Sequence, residues 1–306
     1  PYSALTKAVS DGHLGPKVPG TSLLPLATAA SMICMWIFLA ATGWWRSASQ
    51  KQLGWAAIPW PTRWTALSGL CGAAILTTTT LSYTISGVSI VLMMLLMRGG
   101  MLMMAPIVDF ISGRKVQRNS WIALSLTLLS LFVAFGSTDR FELSTSAMAL
   151  VAVYLMAYFI RLRFMSRLAK SDSLEDTRRY FVEEQLISTP AAFLALAAIA
   201  FVFEGSAADE LRAGFQTVPF GSQWHWATII GVLSQGTGIF GALVLLDKRE
   251  NSFSVPVNRA SSVLAGILAT LLLWWLGAGR VIDTREAIGA ALVAAAIGVL
   301  NLPARS

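Results

Sequence analysis

Residues 88–113 read VSIVLMMLLMRGGMLMMAPIVDFISG. A helix rises about 1.5 Å per residue, so this stretch is long enough to cross a hydrocarbon core of about 30 Å. It carries one cation, Arg98, and one acid, Asp109, among apolar and small residues. Apolar and polar side chains do not alternate in it as a half-exposed strand requires. The stretch therefore predicts a membrane-spanning helix with a charge near its middle.

Outward from there, the same pattern recurs with short connectors. Spans are predicted over 21–44, 62–87, 88–113, 119–136, 144–160, 180–203, 223–246, 252–276 and 286–302. Residues 1–12 read as the last turns of one more helix. They do not read as a signal peptide, which needs a basic start and an apolar core. No segment of strand period and no polar domain is expected, and the runs of about 10 alternating residues that mark a transmembrane β-barrel are absent from the sequence. Composition agrees: the 306 residues are 55% hydrophobic and 13% charged, against about 25% charged in soluble domains, and mean hydropathy is +0.64. The predicted fold class is an all-α integral membrane protein with ten transmembrane helices.

The formal charge is +7, which in a soluble protein would suggest a nucleic-acid partner. Here the cations fall in connectors. With the beginning of that first helix, ahead of residue 1, placed inside, the inner connectors hold Arg46, Lys51, Arg63, Arg114, Lys115, Arg118, Arg161, Arg163, Arg167, Lys170, Arg178, Arg179, Lys248, Arg249 and Arg305, fifteen in all. The outer ones hold six: Lys7, Lys17, Arg140, Arg212, Arg280 and Arg285. Asp139, Glu142, Asp209, Glu210 and Asp283 also fall outside. The positive-inside rule then puts both termini in the cytoplasm, and the expected location is a bacterial inner membrane, with no nucleic-acid partner. Trp44, Trp45, Trp55, Trp60 and Trp64 around one inner connector, and Trp274 and Trp275 at an outer helix end, read as interfacial belts rather than as a binding site.

The chain repeats weakly. Residues 89–136 and 252–302 each read as a span with an arginine, a Gly-Arg loop and a span of small residues. Five helices per half is an odd number, so halves 1–142 and 143–306 would insert in opposite orientations. Inverted repeats are a transporter architecture with a substrate site near the midplane.

The run Met97-Arg98-Gly99-Gly100, through Ala105-Pro106, to Ser112-Gly113-Arg114-Lys115 and Trp121 resembles the fourth and fifth helices of the drug/metabolite transporter superfamily, and its EamA-like branch above all. The ten-helix count and the five-plus-five repeat fit as well. The resemblance implies a secondary transporter working by alternating access. Members of the superfamily move amino acids, drugs, nucleotide sugars, sugar phosphates and other metabolites.

Arg98 and Arg259 are the leading candidates for a substrate site. Each lies within a span, where a charge costs about 2.5–3.5 kcal/mol and faces a cavity or a partner. Two guanidinium groups converging on one cavity suit a phosphate or carboxylate; a structural carboxylate partner for each is the alternative. Gly99 and Gly100 clear room for a ligand or a neighbouring backbone. Tyr180, Glu184 and Ser188 share a helical face. Glu184 and Gln185 could bind an amine, carry a proton or pair with an arginine, unless Glu183, Glu184 and Gln185 are a helix start in water. Tyr154 and Tyr158 sit one turn apart and could line a cavity. Gln235 and Asn258 complete the candidate set. Asp109 reads as a boundary residue, too far along its helix to neutralise Arg98.

Pro106, Pro190 and Pro256 interrupt three spans, each removing a backbone hydrogen bond. Met93, Met94, Met97, Met101, Met103 and Met104 share one helix, suiting either packing or a tunnel for a lipid chain. Residues 236–241 spell G-x-G-x-x-G within an apolar helix, where close helix packing explains them better than a nucleotide does. Cys34 and Cys71 lie in apolar runs and imply neither a disulfide nor a zinc site. His13 and His225 have no nearby ligand partner, and no P-loop is present. No cofactor or metal is expected. The expected partners are membrane lipids and a small or lipid-linked anionic substrate. The alternatives are export of amino acids or cationic drugs through Glu184 and, less favoured, an intramembrane lipid-modifying enzyme.

Overall fold

The computed structural model describes residues 2–53, 56–82, 90–135, 145–275 and 284–300. The expected outer charges Asp139, Arg140, Glu142, Arg280 and Asp283 lie outside the described residues, as do Trp55, Arg305 and the ends of several expected spans. The elements run α1 Tyr2–Ser10, α2 Gly20–Thr42, a 3-10 turn Trp44–Ser47, β1 Gln50–Leu53, β2 Ala56–Pro59, α3 Arg63–Ser82, α4 Ile90–Ile111 and α5 Arg118–Phe135. They continue with α6 Thr145–Leu168, α7 Leu174–Val202, α8 Ser206–Gln216, a 3-10 turn Val218–Phe220, α9 Trp224–Leu245, α10 Asn251–Trp275 and α11 Thr284–Leu300.

Among the described residues, four helices have windows long and apolar enough to cross a membrane: Gly20–Thr42, Ala147–Leu168, Leu174–Val202 and Trp224–Leu245. Large apolar side chains point outward from them and from their neighbours. Phe110 is 84% exposed, Phe240 73% and Leu194 65%. An apolar surface this extensive calls for a non-aqueous surround or a partner.

Several local expectations change. A short antiparallel hairpin pairs Gln50 with Pro59 and Leu53 with Ala56, so a strand does occur where none was expected. Its alternation is only four residues long on each side, too short to stand out against the apolar runs. Helix α8 was not expected either. It is an amphipathic surface helix that buries Ala208, Leu211 and Gly214, below the length a span requires. Helix α6 runs on to Leu168 and α7 begins at Leu174, so Arg161, Arg163, Arg167, Arg178 and Arg179 are helical and not loop residues. Ser173 caps α7, its hydroxyl accepting the Asp176 N–H at 3.2 Å, and Glu175 and Asp176 favour the positive end of the dipole. Pro106, Pro190 and Pro256 all sit inside continuous helices, and so does Pro25 in α2.

The chain forms two compact units. The first comprises residues 1–84 and 171–242, the second 85–170 and 243–306. Each takes helices from both sides of residue 142. In the first unit α3 lies along α7, and α2 packs on α8 and α7. A Cβ at Gly69 would come 2.8 Å from the Glu184 carbonyl oxygen and 2.7 Å from Ile187. Only glycine lets α3 approach α7 this closely. One apolar cluster joins Val9, Leu23, Ala27, Val218, Ala227 and Ile230. In the second unit α5 lies along α11, tied by the Ser130 hydroxyl donating to the Gly289 carbonyl at 2.8 Å, while α4 packs on α6 and α10.

Candidate functional site

The second unit gathers a cationic and phenolic cluster from three helices. Arg259 on α10 donates from Nη2 to the Tyr158 hydroxyl on α6 at 2.7 Å. Its Nε donates to the Met101 sulfur on α4 at 3.1 Å. The guanidinium also lies 5.6 Å from the Tyr158 ring centroid. Tyr154, one turn earlier on α6, packs edge-on against Tyr158 with centroids 4.9 Å apart. Both tyrosines are buried. Arg98 and Arg259 are each within electrostatic reach of Tyr154. The structure thus brings three candidates into contact, Arg259, Tyr154 and Tyr158, and Arg98 lies one turn before Met101 on α4. Asn258 precedes Arg259 on α10.

Arg161 joins them, though from the sequence it reads only as one of the inner connector charges. It lies one turn beyond Tyr158 on α6 and within electrostatic reach of Tyr158 and Arg259. The signal was available: Tyr154, Tyr158 and Arg161 follow helical spacing. It was missed because the end of α6 was placed before Arg161.

Gly100 and Gly99 behave differently. A Cβ at Gly100 would meet the Leu155 side chain at 2.7 Å, whereas one at Gly99 would have only Leu128 at 4.0 Å. Gly100 therefore leaves room for the Leu155 side chain of α6. Met93, Met97 and Met101 are buried along one face of α4, while Met103 is 61% exposed. The methionines divide between packing and the outer surface.

The first unit holds Glu184, Gln185 and Gln235. Glu183 and Glu184 are both fully buried, nine and ten residues beyond the start of α7. The helix-start-in-water alternative is thereby overturned, because α7 begins at Leu174. The two acids differ in role. Glu183 accepts the Ser49 N–H at 2.9 Å, the Thr62 N–H at 3.0 Å and the Thr65 hydroxyl at 2.6 Å. It caps the start of α3 and holds Ser49, which precedes the hairpin. Glu184 accepts the Ser68 hydroxyl at 2.8 Å and the Tyr180 hydroxyl at 3.3 Å. Gln185 follows on α7 and is buried, as is Gln235 on α9. The G-x-G-x-x-G stretch does not make the expected close packing at its first two glycines, since a Cβ at Gly236 would meet nothing within 4 Å and one at Gly238 only the Gln235 amide at 4.0 Å. Close approach occurs instead at Gly231, against Ala27.

Asp109 lies in the last turn of α4, at the boundary expected for it, and is fully buried there. Its carboxylate accepts the backbone N–H groups of Asn251 at 2.8 Å and Ser252 at 2.7 Å, along with both of their side chains. It thereby caps α10. Arg114 donates to the carbonyls of Ser166, Lys170 and Lys248 at 3.0, 2.7 and 2.8 Å, and Lys170 donates from Nζ to the Arg249 carbonyl and the Ser254 hydroxyl. Burial lowers the Lys170 pKa from 10.5 to about 7, with Arg114 adding to the fall and Asp109, Asp247 and Glu250 opposing it. These residues tie α4 and α6 to the start of α10, the helix that carries Arg259. Among the described residues, no group of three or more His, Cys, Asp or Glu could hold a metal ion.

No known protein family matches this chain, and no curated protein does. A solved structure, described only as the crystal structure of a protein, superposes on 99% of this chain and 93% of its own with a TM-score of 0.64 and 19% sequence identity. At that identity the likeness is one of fold, and the chain shares the fold of that structure.

Proposed function

We propose that this chain is a ten-helix membrane transporter of the drug/metabolite type, built as an inverted repeat, which moves a small anionic metabolite or an anionic lipid-linked headgroup by alternating access. The observation that carries the reading is the contact of Arg259 with Tyr158 and Met101, Tyr154 packing beside Tyr158, with Arg98 one turn before Met101 on α4 and Arg161 one turn after Tyr158 on α6. In a medium of low dielectric a guanidinium attracts an anionic group strongly. The guanidinium fork matches phosphate and carboxylate, and the phenols add hydroxyls for orientation. A lipid-linked substrate would lay its chain along α4. The sequence has no nucleotide-hydrolysing motif, so a gradient or exchange drives net flux.

Counterflow of labelled organic phosphates and carboxylates in proteoliposomes tests this. Exchange of an unmodified anion, lost in Arg259→Ala, is the expected result. Chemical change of the solute would indicate an enzyme instead.

A second reading, export of amino acids or cationic drugs, is favoured by one observation. Glu184 is a fully buried carboxylate held by two hydroxyls, an arrangement that can accept a proton or an ammonium group. Transport of amines and not anions, abolished by Glu184→Gln, would select it.

A further inference from the structure

The first unit carries a groove that neither reading uses. Trp36, Leu39 and Ala40 of α2, Trp45 of the 3-10 turn and Leu186 of α7 line an open apolar depression of about 340 Å³. That is at the lower end of the roughly 300–1,000 Å³ of small-molecule sites. Trp36 is 46% exposed and Trp45 36%, so the groove opens to the surroundings of the helices.

Its rim is cationic. The Arg46 guanidinium lies 5.7 Å from the Trp45 ring centroid and that of Arg178 lies 5.3 Å from the Trp44 ring. Both arginines are exposed. Lys51 over Trp60 and Arg63 over Trp64 extend the same pattern along the hairpin and the start of α3. Residues 12–108 contain no aspartate or glutamate. From α7, Glu183 is consumed in capping α3 and Asp176 pairs with Arg179 at 3.0 Å, while Glu175, exposed in the first turn, is the acid one turn before Arg178. A guanidinium stacked on an indole keeps its N–H edge available to a phosphate. Aromatic rings beside an apolar groove place that edge at headgroup depth.

We propose that this surface binds one anionic phospholipid, its acyl chain in the groove of Trp36, Leu39, Ala40, Trp45 and Leu186 and its phosphate on Arg46 and Arg178. The site rests on the membrane location proposed above and not on transport. It gives the Trp-rich turn a ligand where the sequence suggested only an interfacial belt.

Purified protein in a neutral detergent is titrated with dioleoyl phosphatidylglycerol or dioleoyl phosphatidylcholine. Thermal melting and native mass spectrometry of retained lipid are the readouts. Phosphatidylglycerol should raise the melting temperature more than phosphatidylcholine, because a ligand that binds only the folded state stabilises it by mass action. Arg46→Gln with Arg178→Gln should weaken phosphatidylglycerol binding about tenfold and abolish the preference. Both residues are exposed, so this variant should melt normally without lipid; Arg46→Gln alone should show a partial loss. Trp36→Ala should weaken both lipids and keep the preference. Lys115→Gln, an exposed loop cation of the second unit, should change nothing.

Equal effects of the two lipids on the unaltered protein would overturn the proposal. So would a preference that survives the arginine changes, or one lost equally in Lys115→Gln, which would mean attraction to net charge alone. Displacement of the lipid by glycerol phosphate at equal concentration would show a headgroup site without the groove and would overturn it too. Partition of the chain into water without detergent would remove the membrane location itself, a failure separate from loss of lipid preference.

Discussion

Asp109 on α4 and Ser252 on α10 stand 143 positions apart in the chain and are joined twice, the carboxylate accepting both the backbone N–H and the hydroxyl of Ser252 at 2.7 Å. The start of α10 is thus capped from another helix. Asp109→Ala would leave two buried N–H groups without an acceptor, at a cost of about 1–3 kcal/mol each. Melting in detergent should fall sharply for Asp109→Ala and less for Asp109→Asn, which keeps one acceptor oxygen. Equal melting of both variants and the unaltered protein would show that the cap contributes nothing.

Glu183 and Glu184 are neighbours in sequence with separable roles. Glu183→Gln should lower stability by roughly 1–3 kcal/mol through the α3 start and leave solute selectivity unchanged. Glu184→Gln keeps the shape and the hydroxyl contacts, so it should melt within a few degrees of the parent. Transport assays on both, normalised to folded protein, separate the capping carboxylate from one that takes part in transport.

Lys170 gives a pH dependence with a definite sign. Its folded pKa is about 7 and its ordinary value 10.5, so between these values the unfolded chain binds more protons than the folded one. Stability from this group therefore rises with pH from about 7 to about 10.5 and is lowest below 7. Melting temperatures measured across pH 7 to 9.5 should show a positive slope that shrinks in Lys170→Met. An unchanged slope in the variant would place the titration elsewhere.

The arginine cluster predicts different outcomes for charge and for shape. Arg98→Lys and Arg259→Lys keep the charge and lose the planar fork, so each should weaken anion transport without unfolding the protein. Arg98→Ala should lessen stabilisation by the transported anion. Tyr158→Phe removes the hydroxyl that Arg259 bonds at 2.7 Å and should reduce transport less than Arg259→Ala does. An Arg98→Ala protein that both melts and transports normally would exclude a binding role and a structural one together.

Sidedness is tested by impermeant thiol labelling in a background with Cys34 and Cys71 replaced. Lys115 and Asp209 are exposed and make suitable cysteine positions, whereas Lys170 is buried. Lys115→Cys should label only from the cytoplasmic side and Asp209→Cys only from the other. Labelling of position 115 from outside would overturn the layout.

The sequence by itself determined that the chain is helical and apolar, because spacing and hydropathy are local properties and need no partner. It picked out Arg98, Arg259, Tyr154 and Tyr158 for a similar reason: a polar residue in an apolar run is conspicuous wherever it folds. Even Asp109 stood out, as the first acid after Asp11, but its role did not. A cap supplied from 142 residues away leaves no periodic trace, and neither does the Arg114 clamp on three carbonyls. The division between Glu183 and Glu184 likewise came only from tertiary structure. The two acids are adjacent and chemically alike, and what separates them is which donors reach each one: Ser49, Thr62 and Thr65 for Glu183, Ser68 and Tyr180 for Glu184. The close approach at Gly69, where a Cβ would collide with Ile187 and the Glu184 carbonyl, sets how near α3 comes to α7.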